Sequence, residues 1–291
     1  MAVVTKIVHE GDQTKLYKAI QARRPEFSFS VFMRLLRKKD IKVNGARVSE
    51  NVDVFYGDEI CFYQSEQSSS MKVNVVFEDD NVVVAFKPDG IEVESETAEK
   101  DFSGEVSRRV GAKVFAVHRL DRNTTGLVVF AKNMHAKKEL DDAFKNRTIH
   151  KYYLARVYGY MEKKSADLVA FLKKDERAMK SVVRSSPLPG FVKIETKYRV
   201  VSERAETKES PIRTSLLEVE LVTGKMHQIR AHLAFIGHAI VGDGKYADNN
   251  ANKKMKQKKQ LLCAYRIVFS FEKGKLLSYL NGRQIAADVN F

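Results

Sequence analysis

His118 to Ala131 reads HRLDRNTTGLVVFA. Two apolar runs, VFAVHRL upstream and GLVVFAK downstream, each read as a buried strand, so DRNTTG is the turn that joins them. Turn chemistry explains part of that loop. An Asx turn begun by Asp121, or one made by Asn123 with Gly126 at positive φ, would satisfy the polar side chains locally. Strand, turn and strand commit this region to a sheet and leave open whether Asp121 serves the turn or a reaction.

Strand signals continue on both sides, in VNVVF (73–77), NVVVAFK (81–87), YYLARVYG (152–159), FVKIETKYRVV (191–201), TSLLEVELV (214–222) and LLCAYRIVF (261–269). Helical spacing is rarer. NMHAKKELDDAFKN begins at Asn133, whose side chain is suited to cap the first turn. KMHQIRAHLAFIG follows Gly224; there Ile229, Leu233 and Ile236 form an apolar stripe, with His227 and Arg230 on another face. Strands following strands with helices at irregular intervals predict an α+β domain: a large mixed or antiparallel sheet with flanking helices.

The first sixty or so residues differ. TKLYKAIQARR (14–24) has helical spacing and Pro25 stops it, while FSVFMRLLRKK (29–39) sets Phe32, Leu35 and Leu36 against a basic face. IKVNGARV then carries Asn44-Gly45, a strong hairpin signal because both residues tolerate positive φ. QSEQSSS (64–70) is polar and without apolar periodicity, which suits a linker. The division expected is therefore 1–65, a linker at 66–71, and a second domain at 72–291.

Charge narrows the partner. Fifty-one Lys and Arg against 37 Asp and Glu give a net charge of +14 over 291 residues, which favours a polyanion. No apolar run is long enough to span a bilayer, so nucleic acid is favoured over a membrane. The N-terminus lacks the apolar core of a secretory signal, and a cytoplasmic protein is expected. Cys61 and Cys263 each sit in an apolar run and are read as buried thiols. No glycine-rich dinucleotide loop, P-loop or H-E-x-x-H occurs, so no nucleotide cofactor or metal is expected, and a cofactor-dependent methyltransferase is disfavoured.

Three constellations remain: HRLDRNTTG with Asp121; HKYYLARVYG, with Lys151 and Tyr153 on one strand face and Tyr152 on the other; and LVTGKMHQIRAHLAFIGHAIVGDGKYAD with Arg230. Singly each has a structural reading, Tyr153 as a core aromatic and Arg230 as an ion-pair or phosphate partner. In this order, with FKPDG (86–90) before them, they resemble the RluA family of pseudouridine synthases over about residues 72–275. Asn123, Thr125 and Lys225-Met226 are mild departures from that pattern. The helix pair with RLLRKKDIKVNGARV, followed by a strand near GDEICFY, resembles the S4 RNA-binding domain over roughly residues 12–63.

What the resemblance implies is isomerisation of uridine to pseudouridine in RNA without cofactor. Asp121 would be the catalytic aspartate, Arg230 its cationic partner, and Tyr153 the ring that stacks on the base and helps remove the C5 proton. RNA contacts would come from Arg34, Arg37, Lys38, Lys39, Lys42 and Arg47 in the first domain, and from His118, Arg119, Arg122, Thr125, Lys225 and His227 around the cleft. The target base must be unstacked or flipped to reach a carboxylate. Ribosomal RNA is the expected substrate, with transfer RNA the alternative, and a monomer is expected. A non-catalytic RNA-binding or ribosome-assembly factor keeping the same fold is the second reading; the presence of Asp121 counts against it.

Overall fold

The computed structural model describes all residues except 1, 25, 26, 28, 66–70, 97–99, 208–211 and 290, and no side chain of 2–4, 30 or 63–65. Pro25 and most of the expected linker therefore lie outside the described residues. The chain divides into two compact units, residues 1–72 with 95–101, and residues 73–94 with 102–291.

The first unit contains β1 (Ala2–Val8), β2 (Thr14–Lys15), α1 (Leu16–Arg23), α2 (Phe29–Lys38), β3 (Ile41–Val43), β4 (Ala46–Arg47), β5 (Asp53–Val54) and β6 (Glu59–Ser65). The expected helix, helix, hairpin order is present and is preceded by a strand, β1, that was not expected. It lies antiparallel against β6, in a sheet of order β1-β6-β3-β4. The hairpin turns on Asn44 and Gly45 at φ 49° and 81°, the left-handed pair that a two-residue turn of this hand requires. Leu16, Ile20, Phe32, Leu36, Ile41, Ile60 and Phe62 form its core. Facing away from that core, Arg37, Lys38, Lys39 and Arg47 are exposed, while Arg34 and Lys42 are half-buried.

The second unit contains β7 (Asn74–Glu78), β8 (Val82–Lys87), α3 (Phe102–Val110), β9 (Phe115–Ala116), β10 (Thr125–Ala131), α4 (Met134–Lys145), β11 (Ile149–Tyr158), β12 (Ser165–Asp175), β13 (Lys180–Arg184), β14 (Val192–Arg204), β15 (Thr214–Leu221), α5 (Gln228–Phe235), α6 (Asn249–Lys254), β16 (Leu262–Phe269) and β17 (Gln284–Ala286). Nine strands run in the order β13-β12-β14-β15-β11-β16-β10-β8-β7, with β9 beside β10 and β17 beside β16. β10 and β16 run parallel and the other paired strands antiparallel, so the sheet is mixed and the class is α+β. Helix α4 starts as expected, with the Asn133 side chain accepting the Ala136 N–H at 2.8 Å. Its Ala136, Leu140 and Ala143 pack on Val82, Val84, Leu127 and Val129 of the sheet.

Three expectations need correction. Of VFAVHRL, Phe115–Ala116 alone pairs as a strand; beyond it the chain turns so that His118 Nε2 accepts the Val129 N–H at 2.9 Å. Helix α5, expected over KMHQIRAHLAFIG, begins only at Gln228, because His227 is in the left-handed region (φ 53°, ψ 21°). Cys263 is buried, whereas Cys61 is half-exposed; both are free.

Candidate active site

Gly126 brings the first two constellations together. Its φ is +121°, and a Cβ there would lie 2.2 Å from the carbonyl oxygen of Ala264, so no other residue lets β10 approach β16 this closely. Across the sheet Gly126 is level with Ala264, and Ala264 with Tyr153, which faces Val219. One row thus runs from the end of the Asp121 loop to Tyr153, two strand spacings or about 10 Å away.

The loop itself is held from below. Asp121 O accepts the Thr124 N–H at 3.0 Å, the closing bond of a turn. Lys87, fully buried, donates from Nζ to the carbonyls of Pro88 (2.9 Å), Ile91 (2.9 Å) and Arg122 (3.0 Å). Burial depresses its pKa to about 8, with Asp121 and Asp89 pulling it back up. The ammonium of FKPDG is therefore a clamp on the loop, a use the sequence did not disclose. Gly90 N–H to Arg122 O (2.9 Å) and Arg122 Nε to Gly90 O (3.0 Å) complete the link.

The Asp121 carboxylate is not used in the turn. Its Oδ2 accepts Nη1 of Arg230 at 2.8 Å, across 109 residues of sequence. Arg230 is itself fixed: Nε donates to Asp243 Oδ2 at 2.7 Å and Nη2 to Oδ1 at 3.0 Å, the two-point grip that a guanidinium makes on a carboxylate. Asp243 Oδ1 also accepts the N–H groups of Lys245 and Tyr246. Burial opposes the Arg230 charge, yet the bonds to Asp243 and Asp121 outweigh it and raise its pKa. Burial likewise opposes the Asp243 charge, and Arg230 with the two backbone N–H groups holds that carboxyl low. The difference between the two carboxylates is access: the side chain of Asp243 is 0% exposed and that of Asp121 27%.

Helix α5 delivers Arg230 because its first residue is locked to the sheet. Gln228 accepts from the Thr223 hydroxyl and Lys225 N–H, and donates to Glu195 O and Thr196 Oγ1. Tyr153 is 4% exposed; burial, with the Asp121 charge added, pushes its hydroxyl pKa up, so it is a neutral phenol. Its strand neighbour Lys151 lies with its Nζ 5.5 Å from the Phe144 ring centroid.

The expected RNA contacts fall into different settings. Arg119 and Lys225 are exposed, and Arg122 is exposed but tied to Gly90. The Thr125 hydroxyl donates to Leu262 O at 3.3 Å. His118 stacks on Phe144 and accepts from Val129, its pKa lowered to about 3 by burial and then by Lys151. His227 lies inside the cluster, with Nε2 3.8 Å from Asp121 Oδ2. Asp243 and Lys87 were the residues overlooked. Both stand in the quoted motifs, but nothing in their spacing says that one grips Arg230 and the other the Asp121 loop.

A strand-ended loop carboxylate, an arginine gripped from behind and a buried tyrosine that feels the carboxylate's charge coincide with a family match. The profile of RNA pseudouridylate synthase matches residues 81–235. The chain belongs to that family. It is an RNA pseudouridine synthase, an isomerase that converts uridine in RNA to pseudouridine. An "uncharacterized RNA pseudouridine synthase" of Mycoplasma genitalium is 31% identical over 271 residues, which span 84% of this chain and 82% of that protein. The ribosomal large subunit pseudouridine synthase C of Vibrio cholerae is 29% identical, over 75% of this chain and 72% of that protein. Human RNA pseudouridylate synthase domain containing 1 has the same fold, with a TM-score of 0.64 at 18% identity over 77% of this chain and 86% of that one. Among the described residues no helix is long and apolar enough to cross a membrane.

Proposed function

We propose that this synthase acts on a uridine of ribosomal RNA with Asp121 as the catalytic carboxylate, Arg230 as its fixed cation and Tyr153 as the platform for the base. The observation that carries the assignment is the Asp121–Arg230–Asp243 chain, in which one carboxylate is saturated and sealed while the other is half-satisfied and open. The reaction breaks the C1′–N1 bond, turns the uracil in place and joins C1′ to C5. The C5 hydrogen leaves as a proton, and N1 ends with one. A carboxylate in a cleft can attack carbon or take a proton from the ribose, and either use needs the open lone pairs that Asp121 keeps. Tyr153, protonated at neutral pH, can accept the C5 proton only by passing on its own. Asp121, whose charge it feels, is the acceptor we assign.

The relative named as a large-subunit synthase supports ribosomal RNA as substrate. Residues 1–65 we assign as an S4-type anchor, joined through 66–71 to the catalytic domain at 72–291. The exposed Arg37, Lys38, Lys39 and Arg47 of its helix and hairpin support that reading. Each phosphate held this way adds salt-dependent affinity without reading sequence. A monomer working in the cytoplasm fits these assignments.

The experiment has two steps. Carbodiimide mapping of RNA from cells with and without the gene locates the uridine. Tritium release from a [5-³H]uridine RNA spanning it is then compared for the parent and Asp121→Asn. The amide is isosteric but neither ionises nor attacks, so release should vanish while RNA affinity stays near the parent's. Turnover at a tenth of the parental rate would remove Asp121 from its role.

A further inference from the structure

The Tyr246 side chain links Ser181, His227 and Arg230. Its hydroxyl accepts the backbone N–H of Ser181 at 2.6 Å and lies 3.0 Å from Nδ1 of His227. The Arg230 guanidinium lies 5.2 Å from its ring centroid. A backbone N–H can only donate, so the phenol oxygen accepts from Ser181, and His227 Nδ1 is the acceptor within reach of its own proton. With that proton given to Nδ1, the neutral ring carries its own on Nε2, the nitrogen 3.8 Å from Asp121 Oδ2. The backbone is held as well. His227 is in the left-handed region at φ 53°, a conformation that costs a non-glycine residue energy and persists where its surroundings impose it. The Ser181 hydroxyl donates to Met226 O at 2.6 Å, pinning the preceding residue.

A separation of 3.8 Å is too long for a direct hydrogen bond, and a group set beside the two atoms can accept from Nε2–H while it donates to the Asp121 carboxylate. The group that fits accepts and donates at one atom. Within an RNA chain a uridine offers one such group: O2 and O4 only accept, N3–H only donates, and the 3′ and 5′ oxygens are esterified. The 2′-hydroxyl remains.

We propose that His227 and Asp121 form the subsite for the 2′-hydroxyl of the target uridine, with Tyr246 and Ser181 as positioning residues that fix the His227 tautomer. The hydroxyl accepts from Nε2 and donates to the carboxylate, which places the ribose against Asp121 and makes the site selective for RNA over DNA. This rests on Asp121 being the catalytic carboxylate. His227 works as a neutral donor. Burial lowers its pKa; Arg230 and Lys245 lower it further, and Asp121 and Asp243 oppose them.

The test uses the full-length protein and synthetic RNA spanning the mapped uridine, with ribose or 2′-deoxyribose at that one position. Single-turnover rates are read at saturating enzyme. His227→Ala should slow the ribose substrate at least tenfold, the 2′-deoxy substrate should slow the parent comparably, and the two losses should not multiply. His227→Gln, whose amide nitrogen reaches the Nε2 position, should recover most of the rate; His227→Asn, which reaches only Nδ1, should not. Tyr246→Phe keeps the ring and should lower the rate about tenfold with RNA affinity unchanged. Losses that multiply would overturn the proposal. So would a 2′-deoxy loss beyond a thousandfold, more than one hydrogen-bonded group provides. A His227→Ala variant that weakens salt-dependent RNA binding at an unchanged saturated rate would instead make His227 a phosphate contact. Failure of the Asp121 assignment is read separately, from turnover by Asp121→Asn.

Discussion

Two arginine–carboxylate clusters sit on opposite faces of the same sheet. On one face Arg230 joins Asp243 and Asp121. On the other, Glu218 accepts Arg199 Nε at 2.6 Å, Arg266 Nη2 at 2.9 Å and the Tyr265 hydroxyl, while Arg266 stacks 3.8 Å from the Tyr152 ring centroid. The faces follow from strand alternation, since Tyr153 lies across from Val219 and Leu154 across from Glu218. The counts are reversed. Behind the sheet one carboxylate is shared by two arginines and left with nothing to offer. In the cleft one arginine serves two carboxylates, and the second keeps lone pairs free. A buried ion pair is therefore not in itself a sign of catalysis; an open carboxylate beside a cation that is already anchored is.

The largest effect should come from the anchor. Asp243→Asn keeps the shape but leaves a nearly buried guanidinium with half its grip. Removing one partner of such a pair costs about 3–5 kcal/mol, read as a shift in urea midpoint, and tritium release should fall at least tenfold in protein that remains folded. A loss near 1 kcal/mol would show that the pair is as loosely held as a surface pair.

A smaller effect isolates the neutral side of the same helix. His232 Nδ1 lies 3.1 Å from Thr196 Oγ1, and burial lowers its pKa to about 4. The unfolded chain takes up this proton near pH 6.5, so it binds more protons than the native state between pH 6.5 and 4, and stability falls as pH falls through that window. From pH 7 to 5 the loss is about 2 kcal/mol from this group. His232→Gln should flatten the parent's slope of urea midpoint against pH by that amount; an equal slope in both proteins would mean that His232 protonates freely in the fold.

Least of all should follow from Glu218→Gln. Arg199 is 63% exposed and Arg266 20%, so water replaces much of what the carboxylate gave, and the cost should be about 1 kcal/mol. Tritium release should not change. A rate loss would link the two faces and undo the distinction between them.

The comparison also marks what the sequence made legible. Asp121, Tyr153 and Arg230 each stood in a dense local pattern, and the class of fold followed from strand-like runs whose alternation survives in the sheet. Asp243 was less accessible, because its pairing depends on a turn after Gly242 that folds it back on α5. Lys87 ended a strand-like run inside FKPDG, and only the three carbonyls around its ammonium reveal a clamp. Strands β12 and β13 were overlooked, since ADLVAFLKKDERAMKSVVR mixes charges into the run and its small core of Ala170, Leu172 and Ile194 forms only on pairing with β14. Helix α3 escaped notice because Ser103 and Gly104 weaken its first turn. VFAVHRL was overread for the opposite reason: apolar content suggested a strand, and the inward turn of His118 ends it early.

The central claim is that Asp243 holds Arg230 so that it can serve Asp121. Single-turnover rates at saturating enzyme for Arg230→Ala and Arg230→Lys test it most directly. The alanine variant should be slower by about a hundredfold or more, a term on the order of 3 kcal/mol. The lysine variant should recover little, because one ammonium cannot hold Asp243 at two points and reach Asp121 as well. Saturated rates unchanged from the parent, with RNA binding weakened more by Ala than by Lys, would make Arg230 a phosphate contact and contradict the account.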